Sequence, residues 1–552
     1  MAERKIAEAF DFHTEVQNQL NVGLTKLRPN RALAAAFRNI PDPITPFIHS
    51  QGLNFGQRLL RPAGGASPSR HIPRLSHKVW ITSSIDPHMP TAEHLYTYQQ
   101  TIERMPPDWA HFFWTNNLSI GAQIQKRLQA AGCSITVADV SSFSSNVLYD
   151  HAEKFIAANK FVCAADLFKM MILDHMGGLY SDLGANVTPR AVEMFSYADA
   201  GLAVCSNNLL FQMVCIALPP KSMLAAAFTG IAAVPESFDA AVSRANGRPT
   251  GLDEISPCGG PNLTLSSVLF SPSENTWIIP SQGAAMSVFS YGSWFGREKE
   301  TFGNIDLVHA KATIMRQDMV EHYRSVAREN LTVYGDIGLL RIQLELLIKL
   351  VPHYEKHPTE LCKLFDVYGS DKATARHNYS ILYNFLFGRY VGRSPSLLEI
   401  GTSVNNPDEP SPADVTCGSL RAWRKFFVNG EVIGAEADGN ALLSETGIQS
   451  YGVDKTKPVA IAALLAQLPK LDLIIDDGHC FDASRNVVEL ALPQLADGGM
   501  MVIEDVPRHE KKRWDVYLSQ SKLNAAIVDL PHQKNDQNNR LIFILPQREF
   551  PD

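Results

Sequence analysis

The chain has 552 residues, too many for one hydrophobic core, because single cores rarely grow beyond about 250 to 300 residues. Apolar residues make up 45% and charged residues 19% of the sequence, which is typical of folded domains and excludes disorder of the whole chain. The chain has 50 Lys and Arg residues and 57 Asp and Glu residues, which give a net charge of −7. Because basic residues are not in excess, the charge does not indicate a nucleic acid or an anionic membrane as partner. A small-molecule or glycan substrate fits this balance better.

Targeting signals and disulfides are not indicated. The opening MAERKIAEAFDFHTEVQNQL lacks the apolar core of a secretory signal, and no run of 18 apolar residues predicts a membrane span. The eight cysteines are scattered singly without a CxxC pair, which is typical of reduced thiols and does not favour structural zinc. We therefore expect a cytoplasmic protein, with a peripheral position at the inner membrane as the alternative; a homo-oligomer stays open.

Breaks in composition divide the chain into four segments. Gly, Pro and Ser cluster in RPAGGASPSRHIP and separate an N-terminal helical extension, 1–69, from a first large domain, 70–325. NLTVYGDIGLLRIQLELLIKLVPHY is rich in leucine at helical spacing, which predicts a helical linker over 326–359. A second alternating domain then occupies 360–552.

In the first domain, short apolar strands alternate with helical segments. RLSHKVWIT, DWAHFFWTNN and ITVADV are predicted strands, and the alternation favours a mostly parallel sheet with helices on its faces, an α/β fold. AADLFKMMILDHMGGLYSDLG is predicted as a helix followed by a short strand. Gly177 and Gly178 end the helix because glycine adopts the left-handed conformation at low cost.

Polar residues of this last stretch are candidates for chemistry. Asp166 and Lys169 share one helix face, and positions Asp182 and Gly184 point the same way along an extended chain. Carboxylates at both of these latter positions would hold a divalent cation that bridges a nucleotide diphosphate, but only one is present. The simpler interpretation is an i, i+3 ion pair in the helix and a turn aspartate after the strand.

IPRLSHKVW, HFFWTNN, AADLFKMMILDHMGGLYSDLG and GGPNLT resemble, in this order, the bacterial glycosyltransferases with a DxD sugar-binding region, family 32 and its large-toxin relatives. The resemblance covers 70–325 and implies a Rossmann-like GT-A fold, a nucleotide-sugar donor and a glycan acceptor. It implies that Asp166 holds the donor sugar and that Asp182 is the first Asp of the motif, with a catalytic and metal-binding role, whereas Gly184 replaces the second. The other candidates for donor or metal contacts are Trp80, Lys169, Tyr180 and His309.

Three interpretations of the missing carboxylate stay open. The first is a weakened Mn²⁺ or Mg²⁺ site completed by His309 or Asn186, since Mg²⁺ often keeps waters and substrate phosphates among its ligands. The second is a metal-independent transferase that uses cationic groups, and the third is a non-catalytic remnant. Trp80 is either a core aromatic at a strand end or a contact to the nucleotide base.

Six strands are predicted in the second domain: SLLEIG, EVIGAEAD, LDLIIDD, GMMVIED, NAAIVDL and RLIFILP. The last two form a predicted antiparallel pair, so the domain is expected to be one doubly wound sheet with a hairpin edge. SLLEIG brings Glu399 and Gly401 to its carboxyl end, where open α/β sheets bind ligands. EVIGAEAD ends in Glu436 and Asp438, placed to accept hydrogen bonds from ribose hydroxyls.

LDLIIDDGHC and GMMVIEDV each run from an apolar strand into an acidic pair. If the two strands are neighbours, four carboxylates gather at one sheet edge and repel each other unless a cation is present. An oxygen-only set favours Mg²⁺ over zinc, and His479 could then act as general base near neutral pH. The simpler interpretation is that these acids cap the helices after the strands. The four are Asp476, Asp477, Glu504 and Asp505.

VYGSDKATARHNYSILY, LLEIG, GSLRAWRKFF, IIDDGH and VIEDV together resemble the S-adenosylmethionine-dependent sugar O-methyltransferases of the macrocin and mycinamicin type. The resemblance spans 360–548 and implies a class I methyltransferase fold with S-adenosylmethionine and Mg²⁺ as cofactors. It implies a metal site of Asp476 or Asp477 with Glu504 and Asp505, and His479 as the base. The residues implied to help bind the methyl donor are His377, Asn378, Tyr379, Glu399 and Glu436.

Both domains therefore point to carbohydrate. We expect a bifunctional enzyme in which the first domain transfers a sugar from a nucleotide donor and the second O-methylates a sugar, in bacterial surface polysaccharide or glycoconjugate synthesis. One alternative is a monofunctional methyltransferase whose first domain only binds the glycan. Another is a scaffold protein in which both sites are inactive.

Overall fold

The computed structural model describes residues 72–187, 200–204, 211–233, 276–280, 286–288, 343–391, 394–402, 417–439, 442–530 and 539–546, with single residues between them. The chain divides into two compact units, Met1–Val333 and Tyr334–Asp552, called unit 1 and unit 2 below. The predicted extension 1–69, the candidate His309 and most of the polar insertion after Gly401 lie outside the described residues. Within the described ranges, no helix is long and apolar enough to cross a membrane.

Unit 1 contains a seven-stranded sheet. Its strands are β1 (Leu75–Trp80), β2 (Ala110–Thr115), β3 (Thr136–Asp139), β4 (Gly178–Ser181), β6 (Ala200–Val204), β7 (Phe211–Leu218) and β8 (Thr276–Pro280), and a separate antiparallel pair consists of β5 (Ala185–Val187) and β9 (Met286–Val288). The order is β3-β2-β1-β4-β7-β6-β8. The first four strands are parallel, as predicted, whereas β7 runs antiparallel to both of its neighbours. The sheet is therefore mixed.

The α-helices in the described part of unit 1 are α1 (Ala92–Arg104), α2 (Leu118–Ala130), α3 (Tyr149–Ala157), α4 (Phe161–Met176) and α5 (Met223–Ala233). Side chains cap two of them, because Thr91 and Asn117 accept hydrogen bonds from the free backbone N–H groups of the first turn. The predicted helix α4 is buried along most of its length and ends at Gly177, whose φ of 66° only glycine adopts easily. It leads straight into β4.

A buried histidine joins three of these elements. The Trp114 indole N–H donates to His77 Nδ1 over 3.1 Å, so the imidazole carries its proton on Nε2, which lies 2.9 Å from the Gly177 carbonyl oxygen and donates to it. Burial lowers the pKa of His77 to about 4, which keeps the ring neutral. The neutral ring therefore ties β1 and β2 to the end of α4, just before the strand that leads to Asp182.

Unit 2 contains an eight-stranded sheet. Its strands are β10 (Ser396–Ile400), β11 (Glu431–Glu436), β12 (Ser444–Glu445), β13 (Ile448–Gly452), β14 (Leu471–Asp477), β15 (Leu495–Glu504), β16 (Asn524–Asp529) and β17 (Arg540–Leu545). The order is β12-β13-β11-β10-β14-β15-β17-β16. The five central strands are parallel, and β16 and β17 form the predicted antiparallel pair at one edge. The prediction of a doubly wound sheet with a hairpin edge is confirmed.

The helices of unit 2 are α6 (Glu360–Val367), α7 (Tyr379–Leu386), α8 (Gly418–Phe426), α9 (Pro458–Leu465), α10 (Phe481–Ala491) and α11 (Lys511–Gln520), and residues 343–356 are also helical. Apolar residues of β10, β14 and β15 are buried on both faces, as expected for central parallel strands covered by helices. On one side of the sheet an aromatic group centres on the fully buried Trp423, which contacts Phe365, Tyr383, Phe387 and Phe427. It packs α6, α7 and α8 together below the strand ends.

We predict that unit 1 loses stability in acid partly through His77. The pKa of this histidine is lowered on folding, so the stabilisation is complete above the unfolded value of 6.5 and is lost as the pH falls toward about 4. For one such group, the free energy of unfolding falls by about 2 kcal/mol between pH 6.5 and about pH 5. Urea unfolding at both pH values checks this. A His77→Gln variant should show a smaller pH dependence than the wild-type chain, and an unchanged dependence would contradict the assignment.

Candidate functional sites

The acidic pairs of unit 2 meet at one sheet edge, as predicted. β14 and β15 are parallel neighbours, with Asp477 opposite Glu504 in the register. Gly478 follows directly, and a Cβ on it would lie 2.3 Å from the Glu504 carbonyl oxygen, so only glycine permits this approach. The glycine of DDGH thus lets the chain turn closely across the end of β15.

Three side chains form a group that could hold a metal ion. One ligand atom from each of Asp477, His479 and Asp505 lies within 4.8 Å of the others. The His479 Nε2 atom is 3.1 Å from Asp477 Oδ1, and the imidazole side chain is 62% exposed. Two carboxylates and an exposed histidine therefore share one position at the carboxyl ends of the strands.

The other two predicted metal ligands have different partners. Asp476 is fully buried, and its Oδ1 atom accepts from Lys455 Nζ over 3.3 Å. Lys455 also donates to the backbone carbonyl of Asp477. Among the described residues the second oxygen of Asp476 has no hydrogen-bond partner. This arrangement favours Asp477 over Asp476 as the metal-binding member of the pair.

Glu504 is held by a lysine and a tyrosine. Its Oε2 forms an ion pair with Lys372, and its Oε1 accepts from the Tyr383 hydroxyl over 2.6 Å. Burial raises the pKa of Glu504 to about 8 even though Lys372 favours the charged form. The resemblance implied a metal site of Asp476 or Asp477 with Glu504 and Asp505. In the structure the group of possible ligands comprises Asp477, Asp505 and His479, and Glu504 lies outside it.

The two aspartates of the group are themselves supported. Burial and the neighbouring Asp505 raise the pKa of Asp477 to about 7. The Tyr379 hydroxyl donates to Asp505 Oδ1 over 2.8 Å, and His377 Nδ1 lies 3.3 Å from the same oxygen while its ring stacks on Tyr379. Asp505 itself has a φ of 49°. The predicted donor-binding residues His377 and Tyr379 thus lie beside the acidic group.

The remaining predicted donor contacts lie at the ends of β10 and β11. Glu399 accepts from Ser419 Oγ over 2.7 Å and from Trp423 Nε1 over 2.8 Å, so both of its oxygens already have partners inside the unit. Gly401 has a φ of 85°, and a Cβ there would lie 3.0 Å from Asp477 Cβ. Glu436 accepts from the backbone N–H of Asp438 over 3.1 Å at the end of β11.

The third member of the HNY stretch has a backbone role. Asn378 adopts the left-handed conformation at the start of α7, and its side-chain amide donates to Glu355 over 2.8 Å. Asn378 is fully buried. Its hydrogen bond to Glu355 links the start of α7 to the helical residues 343–356. The hydrogen bonds described for it lie within the protein.

The candidates of unit 1 also come together. Lys169 Nζ donates to Asp166 over 2.7 Å and lies 3.0 Å from Asp182 Oδ1. The Tyr180 hydroxyl donates to the same Asp182 oxygen over 2.7 Å, and the Lys169 ammonium lies 4.8 Å from the centre of the Tyr180 ring. Asp182 remains 42% exposed at its side chain. Four of the predicted donor residues are therefore in direct contact, and the carboxylate among them that faces solvent is Asp182.

Sequence reasoning missed Lys78, which fixes the turn that carries Asp182. Its buried ammonium donates to Ser181 Oγ over 2.7 Å, to the Asp182 carbonyl over 2.8 Å and to the Ala185 carbonyl over 3.1 Å. Burial lowers the pKa of Lys78 to about 7, against the opposing effect of Asp182. A lysine within the apolar strand LSHKVW was the available signal, because a buried charge in a strand requires partners.

Lys372 and Lys455 were missed for a related reason. The sequence placed four acids together and required a cation, and each of these lysines follows an aspartate in a loop, at GSDK and GVDK. Although burial alone would lower the pKa of Lys372, the carboxylates of Glu504 and Glu399 hold it well above its usual range. Asp476 and Asp477 likewise raise the pKa of Lys455 against the effect of burial.

Trp80 lies at the carboxyl end of β1, partly exposed, and its indole N–H donates to the His88 carbonyl over 2.8 Å. The predicted ligand His309 lies outside the described residues. Within the part of unit 1 that is described, no group of three potential metal ligands surrounds Asp182.

The donor chemistry of unit 2 fits a hard divalent cation. Two aspartate oxygens and a histidine nitrogen converge within 4.8 Å, and carboxylate oxygens are ligands that Mg²⁺ accepts alongside water and substrate oxygens. The glycine at 401 keeps the adjoining strand end close to Asp477. The described residues of unit 2 can therefore hold such an ion next to the edge where open α/β sheets bind ligands.

Comparison with known proteins supports both resemblances. Residues 92–190 match the family described as glycosyltransferase sugar-binding region containing DXD motif. The chain is 29% identical over 140 residues to 8-demethyl-8-alpha-L-rhamnosyl tetracenomycin-C 2'-O-methyltransferase of Streptomyces olivaceus, covering 25% of this chain and 35% of that relative. It is 28% identical over 148 residues to demethylmacrocin O-methyltransferase of Streptomyces fradiae, covering 27% and 36%. The chain thus spans about a third of the length of these curated relatives.

Solved structures give similar neighbours. The MycE methyltransferase in complex with Mg, SAH and mycinamycin VI is 21% identical, with a TM-score of 0.29 over 41% of this chain and 61% of that one. The PaToxG glycosyltransferase is 17% identical, with a TM-score of 0.27 over 44% and 79%. The fold assignment rests on the strand order itself. The chain combines a region that matches the DXD glycosyltransferase family model with a region similar to sugar O-methyltransferases.

We predict that Gly478→Ala destabilises unit 2. The added methyl group would meet the backbone of Glu504, which cannot move as a flexible side chain can, and overpacking of this kind costs about 1 to 3 kcal/mol. Urea unfolding measures the loss. Gly439→Ala is the matched control, because nothing lies within 4 Å of a Cβ at that position. If the two variants had equal free energies of unfolding, the close contact between Gly478 and the Glu504 backbone would be contradicted.

Proposed function

We propose that unit 2 transfers a methyl group from S-adenosylmethionine to a sugar hydroxyl with the help of a divalent cation. The observation that carries this proposal is the group of Asp477, His479 and Asp505 at the carboxyl ends of the central strands, beside Gly401. The similarity to sugar O-methyltransferases supports the same reaction class. The acceptor sugar and the hydroxyl that is methylated are left open by this support.

The residues divide the chemistry between them. Asp477 and Asp505 would hold Mg²⁺, which, when bound, supplies a positive charge that lowers the pKa of a sugar hydroxyl. His479 Nε2 lies 3.1 Å from Asp477 Oδ1, so the imidazole is beside the proposed cation, where it would take the proton of the hydroxyl. Glu436, at the end of β11, is positioned to accept hydrogen bonds from the ribose of the methyl donor.

His479→Ala should lower the rate of methyl transfer by about 10² to 10⁴, because it removes the proposed base. A mass-spectrometric assay with S-adenosylmethionine and sugar acceptors measures the rate, and His509→Ala, which removes an exposed histidine of the same unit, is the control. Calorimetry with MgCl₂ separates two roles. Unchanged Mg²⁺ binding by His479→Ala indicates a base, whereas weakened binding indicates a ligand. Full methylation by this variant would contradict both roles.

We further propose that unit 1 binds a nucleotide sugar and transfers its sugar, so that the chain modifies one glycan in two steps. Asp182, Lys169, Asp166 and Tyr180 lie in direct contact in the region that matches the DXD glycosyltransferase family. Joining both activities on one chain raises the local concentration of the glycosylated product near the second site. A role in bacterial surface polysaccharide or glycoconjugate synthesis is consistent with this pairing.

A second candidate function for unit 1 is favoured by one specific observation. Gly184 stands where the motif has its second Asp, and the exposed carboxylate that remains, Asp182, already has Lys169 and Tyr180 as partners. In this alternative unit 1 only recognises the glycan and the chain is a monofunctional methyltransferase. Binding of a nucleotide discriminates the two candidates, because a glycan-binding domain has no need of one.

Asp182→Asn should weaken binding of UDP or GDP sugars roughly 10- to 150-fold, since hydrogen bonds to a charged group contribute about 1.5 to 3 kcal/mol. Titration calorimetry with and without Mn²⁺ measures this. Asp150→Asn, which changes an exposed aspartate on α3, is the control. If the wild-type chain binds no nucleotide sugar under either condition but binds glycan, the monofunctional alternative holds.

A further inference from the structure

Two buried acidic residues, at the ends of the strands on either side of β14, share one lysine. Lys372 precedes α7 in the chain and is itself almost completely buried. Its ammonium pairs with Glu504 at the end of β15 and lies 3.6 Å from Glu399 near the end of β10. A buried ammonium between two buried carboxylates is a strong local counter-charge, because little water screens it.

Glu504 lies between the metal-binding group and Lys372. In the register of the sheet it lies directly opposite Asp477, which belongs to the metal-binding group. Yet its two oxygens accept from Lys372 and Tyr383, and it stays outside that group. One carboxylate is therefore within a strand spacing of a cation site while a protein cation already neutralises it.

The second partner gives the ammonium another place to pair. Glu399 is held by Ser419 and Trp423, both of which leave its negative charge in place. A small displacement of the Lys372 side chain toward Glu399 would keep the ammonium paired and release Glu504. Lys372 can thus pair with either Glu504 or Glu399. In neither case does it become an isolated buried charge, which would destabilise the fold.

We propose that Lys372 is the resident counter-ion of Glu504 and that a divalent cation at Asp477 and Asp505 competes with it for this carboxylate. Binding of the cation draws Glu504 toward the metal-binding group and transfers the ammonium to Glu399. Lys372 is a positioning residue in this scheme, since it determines whether Glu504 pairs with the lysine ammonium or binds the divalent cation. The inference rests on the proposed divalent-cation site of unit 2.

Competition has a defined thermodynamic sign. A side chain that must be displaced for an ion to bind weakens the binding of that ion, so its removal tightens it. A residue that only packs the loop before α7 would instead weaken Mg²⁺ binding or leave it unchanged when it is replaced. The direction of the change in Mg²⁺ affinity therefore separates the two roles.

The test is calorimetric titration of MgCl₂ into the full-length chain after removal of divalent ions by chelation. Lys372→Met should bind Mg²⁺ at least about fivefold more tightly than the wild-type chain, the lower end of typical coupling between sites. Lys372→Arg keeps the positive charge, so its Mg²⁺ affinity should stay within about twofold of that of the wild-type chain. Lys511→Met is the matched control, because Lys511 pairs with Asp529 on the surface.

A double-mutant comparison isolates Glu504. In a Glu504→Gln background, replacement of Lys372 by Met should leave Mg²⁺ affinity unchanged, because the contested carboxylate is gone. If Lys372→Met fails to fold, the pair Lys372→Met with Glu399→Gln removes one positive and one negative charge together and should show the same tightening. Equal or weaker Mg²⁺ binding by Lys372→Met in the otherwise wild-type chain, or by its pair with Glu399→Gln, overturns the inference alone. Absence of Mg²⁺ binding to the wild-type chain overturns both the inference and the proposed metal-assisted reaction.

Discussion

The balance of buried negative charge is the constraint on which unit 2 depends. Parallel strands bring their carboxyl ends to one edge, and at this edge Glu399, Asp476, Asp477, Glu504 and Asp505 are all largely excluded from water. Such a set would repel itself strongly. Lys372 and Lys455 enter from two loops and pair with it, while tyrosine and tryptophan side chains donate to Asp505, Glu504 and Glu399. Among the described residues, Asp476 Oδ2 and Asp477 Oδ1 have no hydrogen-bond partner. The loops are therefore as necessary to the site as the strands.

Unit 1 solves a smaller version of the same problem. Asp166 and Asp182 face Lys169, and Lys78 binds the backbone of the turn that carries Asp182. Lys78, Lys169 and Lys372 are themselves buried, and Lys455 is partly buried. A buried lysine is stable only with several partners, so each one fixes the elements that it joins. The neutral His77 adds a further tie at the start of β4.

Strands β1 to β4 of unit 1 and six of the eight strands of unit 2 could be predicted from the sequence, since central parallel strands are short apolar runs between turn residues. Strands β6, β7 and β8 of unit 1 and β12 and β13 of unit 2 were not predicted. The neighbouring positions of β14 and β15, and hence the gathering of acids, followed from the doubly wound pattern. The partners could not be predicted, because Lys372 and Glu504 are 132 positions apart and Lys78 and Ser181 are 103 apart. Local periodicity carries no information about such pairs, so the sequence could not indicate that Glu504 pairs with Lys372 and lies outside the group of Asp477, Asp505 and His479.

The two units differ in what a divalent ion would meet. In unit 2 the aspartates of the group lie beside an exposed histidine, and Glu504 is a further carboxylate one strand away. In unit 1 the carboxylates Asp166 and Asp182 already face an ammonium, and Gly184 offers no third acid. An ion beside Asp182 would add two positive charges next to Lys169, and among the described residues no free acid stands ready to balance them. In the reaction proposed for unit 1, the phosphates of a nucleotide sugar would supply this balancing charge, so a metal at Asp182 would bind together with the nucleotide.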